Sequence, residues 1–594
     1  MGILAKFQAG LSRKSDTSAV DTTADEIRKD PTTDTAAVDN LSNEQLTVEK
    51  PGEELQRGVQ NVEAVTIAWS KSSLIAVFIN IWLLYCVNAF QSAILYSLIP
   101  FVTSEWESHS LLNVIYIVSD ALTAASFIPL SKILDLWGRG EGFLVMMGFA
   151  TFGLILMAAC QNLPMFCAAY VFYNIGFMGM TFSVDVITAD ASKLKNRGLA
   201  YAFTSSPYII TAFAGPKAAE SFYYNIDWRW GFGAFAIILP FVAAPLYLNL
   251  KLNLRKARKQ GILAPTSSGR TWKESLWHHT VEFDALGVFL FSAGLTVFLL
   301  PFALASSAPN EWATGYIIAM IIVGFVVLAA FVANEIWLAP KPMLNFALLS
   351  DRTVIGACLL GLTYQISYYC WANYFTSFLQ VVNNVSLAEA GYISNTFNVV
   401  SGVLLLLVGL AIRKTGYFKW LLYIAVPLYV LSQGLMIYFR QPGQSVGYLI
   451  MCQVFTSFGG SIFIIIQQVA VLAAVDHQHV AAALALLYVV GTTGGAIGAT
   501  VSGTIWTNTF PGALERLLPE EALENFDAIY GDLDTQLSYE MGSEIRLAIQ
   551  EAYGYAQTRM LTAGTVIIAL AFVWTLLIRN INVSKVVQTK GNVF

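Results

Sequence analysis

Charge is scarce in this chain: Asp, Glu, Lys and Arg make up 12% of it. Ordinary soluble domains carry about 25%, so a row of soluble domains is excluded. Histidine is scarcer still, with five residues (His109, His278, His279, His477 and His479) that all fall in loops or at the ends of apolar runs. The six cysteines, Cys86, Cys160, Cys167, Cys358, Cys370 and Cys452, lie in or beside apolar runs without metal-site spacing. These shortages leave no His/Cys cluster to hold a metal, and no nucleophile–base pair converges to suggest a membrane enzyme. A cleavable signal peptide is also missing from the pattern.

What the chain has instead is apolar length. Hydrophobic residues are 56% of it, and from Leu74 to Arg579 apolar runs of about 18–25 residues alternate with short polar loops. The spacing predicts an all-α membrane protein of about fourteen spans. They lie at about 74–101, 111–131, 142–161, 164–187, 198–218, 231–250, 284–305, 314–337, 353–379, 389–412, 419–439, 446–474, 481–507 and 558–579. The first is expected to act as an internal signal-anchor. Basic residues cluster in three loops: Lys193, Lys195 and Arg197; Lys251 to Lys273; and Arg413, Lys414 and Lys419. With fourteen spans these loops and both termini share a side, which the positive-inside rule makes cytoplasmic.

The chain divides into a polar N-terminal tail (1–70) with a disordered composition, a first six-helix half (71–250) and a basic linker (251–283). Two extra spans (284–340), a second six-helix half (341–580) and a short tail (581–594) follow. Residues 508–557 form a long outer loop with ten Asp or Glu but only Arg516 and Arg546 as basic residues. Stretches 519–528 and 540–553 in it read as helical. Long loops are often functional, so Phe526, Tyr530, Tyr539 and Tyr553 are candidates to contact a ligand; a solvated cap is the equal alternative. Asn384-Val385-Ser386, in another outer loop, is a weak glycosylation signal.

Between the second and third spans stands Ser131-Lys132-Ile133-Leu134-Asp135-Leu136-Trp137-Gly138-Arg139-Gly140. It resembles the loop signature of the major facilitator superfamily, with Asp135, Gly138 and Arg139 in register, Ser131 for the first glycine and Gly140 for the final basic residue. Physically, Asp135 and Arg139 suit a gating latch. An isolated surface pair is worth only about 0–1 kcal/mol, so a latch needs partial burial. Gly409 to Gly416, with Arg413, is a weak echo of it in the second half. Gly215-Pro216 in the fifth span, Asp227-Trp228-Arg229-Trp230 and the run Gly491 to Gly498 resemble elements of the fourteen-span, proton-coupled branch.

Within that branch the chain resembles the fungal siderophore-iron transporters. The resemblance rests on Phe182 to Asp190, on Asn196 to Tyr208, on the acidic-aromatic outer loop and on the polar tail, and it covers everything after about residue 70. It implies a major facilitator-type bundle of two six-helix halves with two inserted helices. It also implies proton-driven import of ferric siderophores, of hydroxamate type, across the plasma membrane, with endosomal vesicles an open alternative. No cofactor, resident metal or nucleic acid is implied, and a monomer in the bilayer is expected.

Ionisable residues inside spans are costly and are functional candidates by default. Asp120 and Asp185 are such residues, and they are the candidates for proton coupling; Asp190, Asp284 and Glu335 sit at span ends, where solvation or capping suffices. Asn174 shares a helix face with Asp185. In the ninth span Tyr364, Tyr368 and Trp371 fall on one face, with Gln365, Tyr369 and Asn373 beside them. Tyr85, Asn88 and Gln91 mirror them in the first span. With Tyr208, Tyr374, Asn395, Asn398, Gln467 and Gln468, these residues suit a midplane cavity for a large polar ligand whose iron is already saturated. The rival reading is a proton-antiport exporter of drugs, organic anions or peptides, towards which the Gly-Pro element pulls; a nutrient sensor would need a large folded extension.

Overall fold

A computed structural model describes residues 57–106, 112–262, 272–305, 308–340, 348–586, 588 and 593–594. It begins with helix α1 (Arg57–Ala68), so residues 57–68 of the expected disordered tail are helical, and residues 1–56 lie outside the described residues. Gly58 explains the docking of α1. A Cβ on it would stand 2.3 Å from the Asp135 carbonyl oxygen, so only glycine lets the helix reach that loop.

The first half comprises α2 (Lys71–Ser104), α3 (Leu112–Leu136), α4 (Arg139–Ala159) and α5 (Leu163–Asp190), then α6 (Leu194–Ser205), α7 (Pro207–Ser221) and α8 (Trp230–Lys259). After α9 (Trp272–Glu282) comes the inserted pair, α10 (Ala285–Leu304) and α11 (Gly315–Ala333). The second half runs through α12 (Arg352–Ala372), α13 (Phe375–Asn383), α14 (Leu387–Thr415), α15 (Lys419–Phe439), α16 (Val446–Ala473) and α17 (Val480–Leu517). The small helices α18 (Phe526–Gly531) and α19 (Leu533–Ser538) precede α20 (Glu544–Ile568) and α21 (Ala571–Leu577).

Among the described residues twelve helical segments are long and apolar enough to cross a bilayer. Two further crossings are broken, which brings the bundle to the expected number of about fourteen. In the fifth crossing α6 gives way to α7 at Ser206-Pro207, where proline has no N–H for the helical ladder. In the ninth, α12 stops at Ala372, Asn373 is extended, and Tyr374 adopts a left-handed φ of 57° before α13 begins. That conformation costs a non-glycine residue about 1–2 kcal/mol. It is held because Asn373 Nδ2 donates to Ser502 Oγ at 2.8 Å while Tyr374 stacks on Trp506 at 4.0 Å.

The two halves meet along two seams. On one, α3 packs against α17; on the other, α14 packs against α6 and α7. Gly391, Gly402 and Gly409 lie on one face of α14, and a Cβ on each would collide with Pro216, Ile209 and Leu199 respectively. The inserted pair packs on the outside of the first seam, with α10 against both α3 and α17. Thr504 of α17 donates to the Phe302 carbonyl of α10 at 3.0 Å. We call the end carrying Lys195, Arg258 and Lys414 the basic end, and the opposite one the acidic end.

The long loop is shorter than its apolar gaps implied. Helix α17 continues to Leu517 and α20 starts at Glu544, so the connecting segment is a folded cap. Arg546, 1% exposed, fastens it by donating to the carbonyls of Val381 at 3.0 Å, Gln380 at 3.2 Å and Gln536. Tyr223, just beyond α7, donates to Asp534 Oδ2 at 2.6 Å and ties the cap to the first half.

Candidate functional site

Asp185 sits near the basic end of α5, only 4% exposed. Its carboxylate receives Tyr85 Oη at 3.0 Å, Gln468 Nε2 at 3.0 Å and the Tyr488 hydroxyl. The Tyr201 hydroxyl donates to its backbone carbonyl at 3.1 Å. Tyr85 belongs to the first half and Gln468 and Tyr488 to the second, so one carboxylate ties the halves together. It borders a cavity of about 250 Å³ whose walls include Tyr85, Ser205, Tyr208, Asn398, Gln468 and Tyr488. Pockets for drug-sized ligands run roughly 300–1,000 Å³, so the cavity is contracted in this state.

Asp120 forms a second tie. Asn174 Nδ2 donates to its Oδ1 at 3.0 Å and Tyr369 of the second half donates to Oδ2 at 2.8 Å. A Cβ on Gly495 would stand 2.7 Å from that Oδ2. The glycine run of α17 thus lets the second half close over the carboxylate.

A smaller cavity of about 80 Å³ adjoins the first through the shared walls Tyr208, Phe397 and Asn398. Tyr96, Tyr368, Trp371 and Asn395 also line it, and Asn398 Nδ2 donates to Asn395 Oδ1 at 2.8 Å.

At the basic end Arg139, 4% exposed, bonds Asp135 Oδ1 at 2.6 Å and Asp190 Oδ2 at 2.9 Å. Gly138 between the helices has φ 127°, which glycine alone adopts freely. Asp190 is therefore not a solvated span end. It is buried because Arg139 reaches it from α4. Asp284 and Glu335 are buried too, and Asp284 caps α10 through the Gly287 N–H at 3.1 Å. Arg197, counted among the basic loop residues, is fully buried and donates to the carbonyls of Ala189 and Ser192. Its Nη1 also donates to Gln588 Oε1 at 2.8 Å, and Gln588 donates onward to the carbonyls of Leu472 and Val475 in the second half. Arg413 is exposed and lies over the Phe594 ring at 6.0 Å, and it forms no ion pair with Asp135 or Asp190.

Of the sequence candidates, Tyr85, Tyr208, Tyr368, Trp371, Asn395 and Asn398 line the cavities, and Asn174 supports Asp120. Asn88 and Gln91 are buried but line neither. Tyr364 turns into the second half against Tyr429 and Phe463, and Gln365 lines neither cavity. Tyr374 belongs to the break in the ninth crossing. Gln467 faces Gly361, and its neighbour Gln468 reaches Asp185 instead. In the cap, Phe526 stacks on Tyr530, and Tyr539 accepts from Asn525 Nδ2 at 3.0 Å. Tyr553 is fully buried between Trp506 and Phe510 and donates to Gln536, so it is unavailable to a ligand in this state. Tyr488, Tyr201, Tyr96 and Phe397 were not singled out from the sequence, where an aromatic in an apolar run carries no separate signal.

The model of the Major Facilitator Superfamily matches residues 81–378. The chain is 58% identical over 557 residues to the siderophore iron transporter mirB of Emericella nidulans, covering 94% of this chain and 92% of that one. It is 53% identical over 606 residues to the MFS siderochrome iron transporter 1 of Gibberella zeae, covering 100% of each chain. Among solved structures, a bacterial homologue of the human lysosomal transporter Spinster, inward-facing and unoccupied, superposes with a TM-score of 0.52 at 15% identity. That match covers 86% of this chain and 98% of the other, and supports the fold alone. With a matching domain model and relatives this similar along nearly its whole length, the chain belongs to the siderophore iron transporters of the major facilitator superfamily.

Proposed function

We propose that this protein imports ferric siderophore complexes of the hydroxamate type by proton symport, with the two halves rocking about the midplane cavity. The observation that carries the reading is Asp185: one buried carboxylate beside the larger cavity, bonded by donors from both halves. An ionised carboxylate accepts strongly from Tyr85, Tyr488 and Gln468. A proton on it weakens those bonds and loosens the tie between halves, which couples proton uptake to the rocking step. Asp120, bonded across the other seam by Tyr369, adds a second such tie. The Gln588 bridge joins the halves at the basic end, where the Asp135–Arg139–Asp190 cluster fixes α3, α4 and α5 of the first half together, and we read that end as cytoplasmic together with both termini.

The lining favours the ligand class. Tyrosine and tryptophan faces with neutral amides suit a bulky complex rich in acceptor oxygens, and the iron, already coordinated by the siderophore, is cargo. The protein acts as a monomer in the plasma membrane in this reading.

The test is uptake of radiolabelled ferric hydroxamates by iron-starved yeast lacking its own siderophore carriers. We expect accumulation that is faster at pH 5 than at pH 7.5 and abolished by a protonophore. No accumulation with protein at the cell surface would leave the exporter reading, and drug-efflux assays would follow.

A further inference from the structure

Arg440 closes α15 at the acidic end and is fully buried. Its Nη1 donates to the Trp371 carbonyl at 2.6 Å, at the last turn of α12 before the ninth crossing breaks. Its guanidinium lies over the Phe375 ring at 4.3 Å and the Phe378 ring at 5.3 Å. Its Nε and Nη2 have no hydrogen-bond partner among the described residues, and no described carboxylate pairs with it. Cation–π contacts attract a buried cation without accepting its N–H hydrogens, and a buried charge left without a hydrogen-bonding partner is strongly disfavoured. Two ring faces therefore offset only part of the burial of this charge and leave its N–H edge unsatisfied.

The surroundings say what satisfies it. Trp371, whose carbonyl Arg440 holds, lines the smaller cavity with Tyr96, and the Tyr96 hydroxyl donates to the next carbonyl along, that of Ala372, at 2.9 Å. The helix is interrupted just after this contact, where α12 ends at Ala372 and Asn373 is extended. Broken helices in transporters present polar groups to a ligand, and this break directly follows a residue that lines the smaller cavity.

We propose that Arg440 is a specificity-determining residue: when α13 swings away at the break, its free N–H edge meets acceptor oxygens on the transported complex and selects against ligands bearing positive charge. This rests on the import reading and deepens it. The ligand class is a ferric hydroxamate whose exposed face is neutral or carries a carboxylate; an ammonium-bearing complex of the same size would face a desolvated guanidinium. Like charges brought together without water are strongly disfavoured, and such juxtaposition is how binding sites reject wrong partners.

The test uses the full-length chain in yeast lacking its own siderophore carriers. Three iron-labelled trihydroxamates share one core and differ in a carboxylate, a neutral amide or an ammonium group at the periphery. Wild-type protein is expected to show a KM for the ammonium complex at least about tenfold above that for the carboxylate complex, the size of one charge-assisted contact. Arg440→Gln is expected to bring the ratio near one, and Arg440→Lys to preserve it. An unchanged ratio in Arg440→Gln, or equal loss for all three ligands in both variants at normal surface level, overturns the inference and leaves Arg440 a structural residue. Should Arg440→Gln not reach the membrane, Arg440→Met takes its place with the same readings: a ratio near one supports the inference and an unchanged ratio overturns it. Wild-type uptake without discrimination removes the inference but not the import reading, whereas no wild-type uptake of any of the three removes both.

Discussion

Gly402 of α14 approaches Ile209 of α7 so closely that a Cβ on the glycine would stand 2.3 Å from the isoleucine Cγ1. The closed seam between the halves therefore depends on a hydrogen atom at that position. Gly402→Ala is expected to destabilise the closed arrangement by about 1–3 kcal/mol, the usual cost of overpacking. A cysteine at Ser205, on the cavity wall, should then react faster with a maleimide, and Ile209→Ala added to Gly402→Ala should return the rate towards normal. An unchanged rate in the glycine variant would mean the seam yields without opening the cavity.

Asp185→Asn is expected to abolish uptake with the protein still at the surface, because the amide cannot carry the proton. Tyr488→Phe and Gln468→Leu each remove one donor to a charged group, worth about 1.5–3 kcal/mol. Each should lower uptake while leaving some pH dependence. Near-normal, pH-sensitive uptake by Asp185→Asn would remove the residue from the mechanism.

The ion cluster at the basic end makes a separate prediction. Arg139→Ala leaves Asp135 and Asp190 buried without their partner, and breaking such a pair costs about 3–5 kcal/mol. The purified variant should melt at a clearly lower temperature than wild type. Asp190→Asn, which keeps the Arg139–Asp135 contact, should cost less. Equal melting temperatures for all three proteins would show that water enters the cluster and screens it.

Gln588 touches both halves, through Arg197 on one side and the carbonyls of Leu472 and Val475 on the other. Gln588→Ala is expected to free the tail segment while leaving the bundle intact. Limited proteolysis should cut it faster after Lys585, with no change in the melting temperature of the remainder. Cleavage at the wild-type rate would mean other contacts hold the tail.

Much of this architecture was legible from the residues, and the failures have physical causes. The apolar runs located the crossings because a bilayer leaves helices little alternative. They did not show that the fifth and ninth crossings are broken: Pro207 is one signal among several prolines, and the turn at Tyr374 is imposed by Trp506 and Ser502, far away in sequence. Asp120 and Asp185 stood out because charge is rare in a span. Of their partners, Tyr85, Asn174, Tyr369 and Gln468 were named without being paired to a carboxylate and Tyr488 was missed, since Gln467 and Gln468 differ by about 100° around a helix and only packing decides which faces the carboxylate. Asp190 read as solvated because nothing local says that Arg139 arrives from the next helix. The stretch 57–68 read as disordered along with the polar tail before it, although half of its residues are apolar, and its helix is held by docking against Leu134 and Asp135 at the end of α3.

The inserted pair gives the two flanks of this carrier different surroundings. Along one flank α10 lies against both α3 and α17. Along the other, Ile210 and Phe213 of α7 and Val403 and Leu407 of α14 remain exposed on the outer surface beside the glycine seam. If the halves rock as proposed, acyl chains meet their joint from one direction and not from the other. The thickness and fluidity of the bilayer would then act as a one-sided spring on the rocking step, and the same chain reconstituted in thinner or stiffer lipid would turn over at a different rate without any change in its ligand contacts.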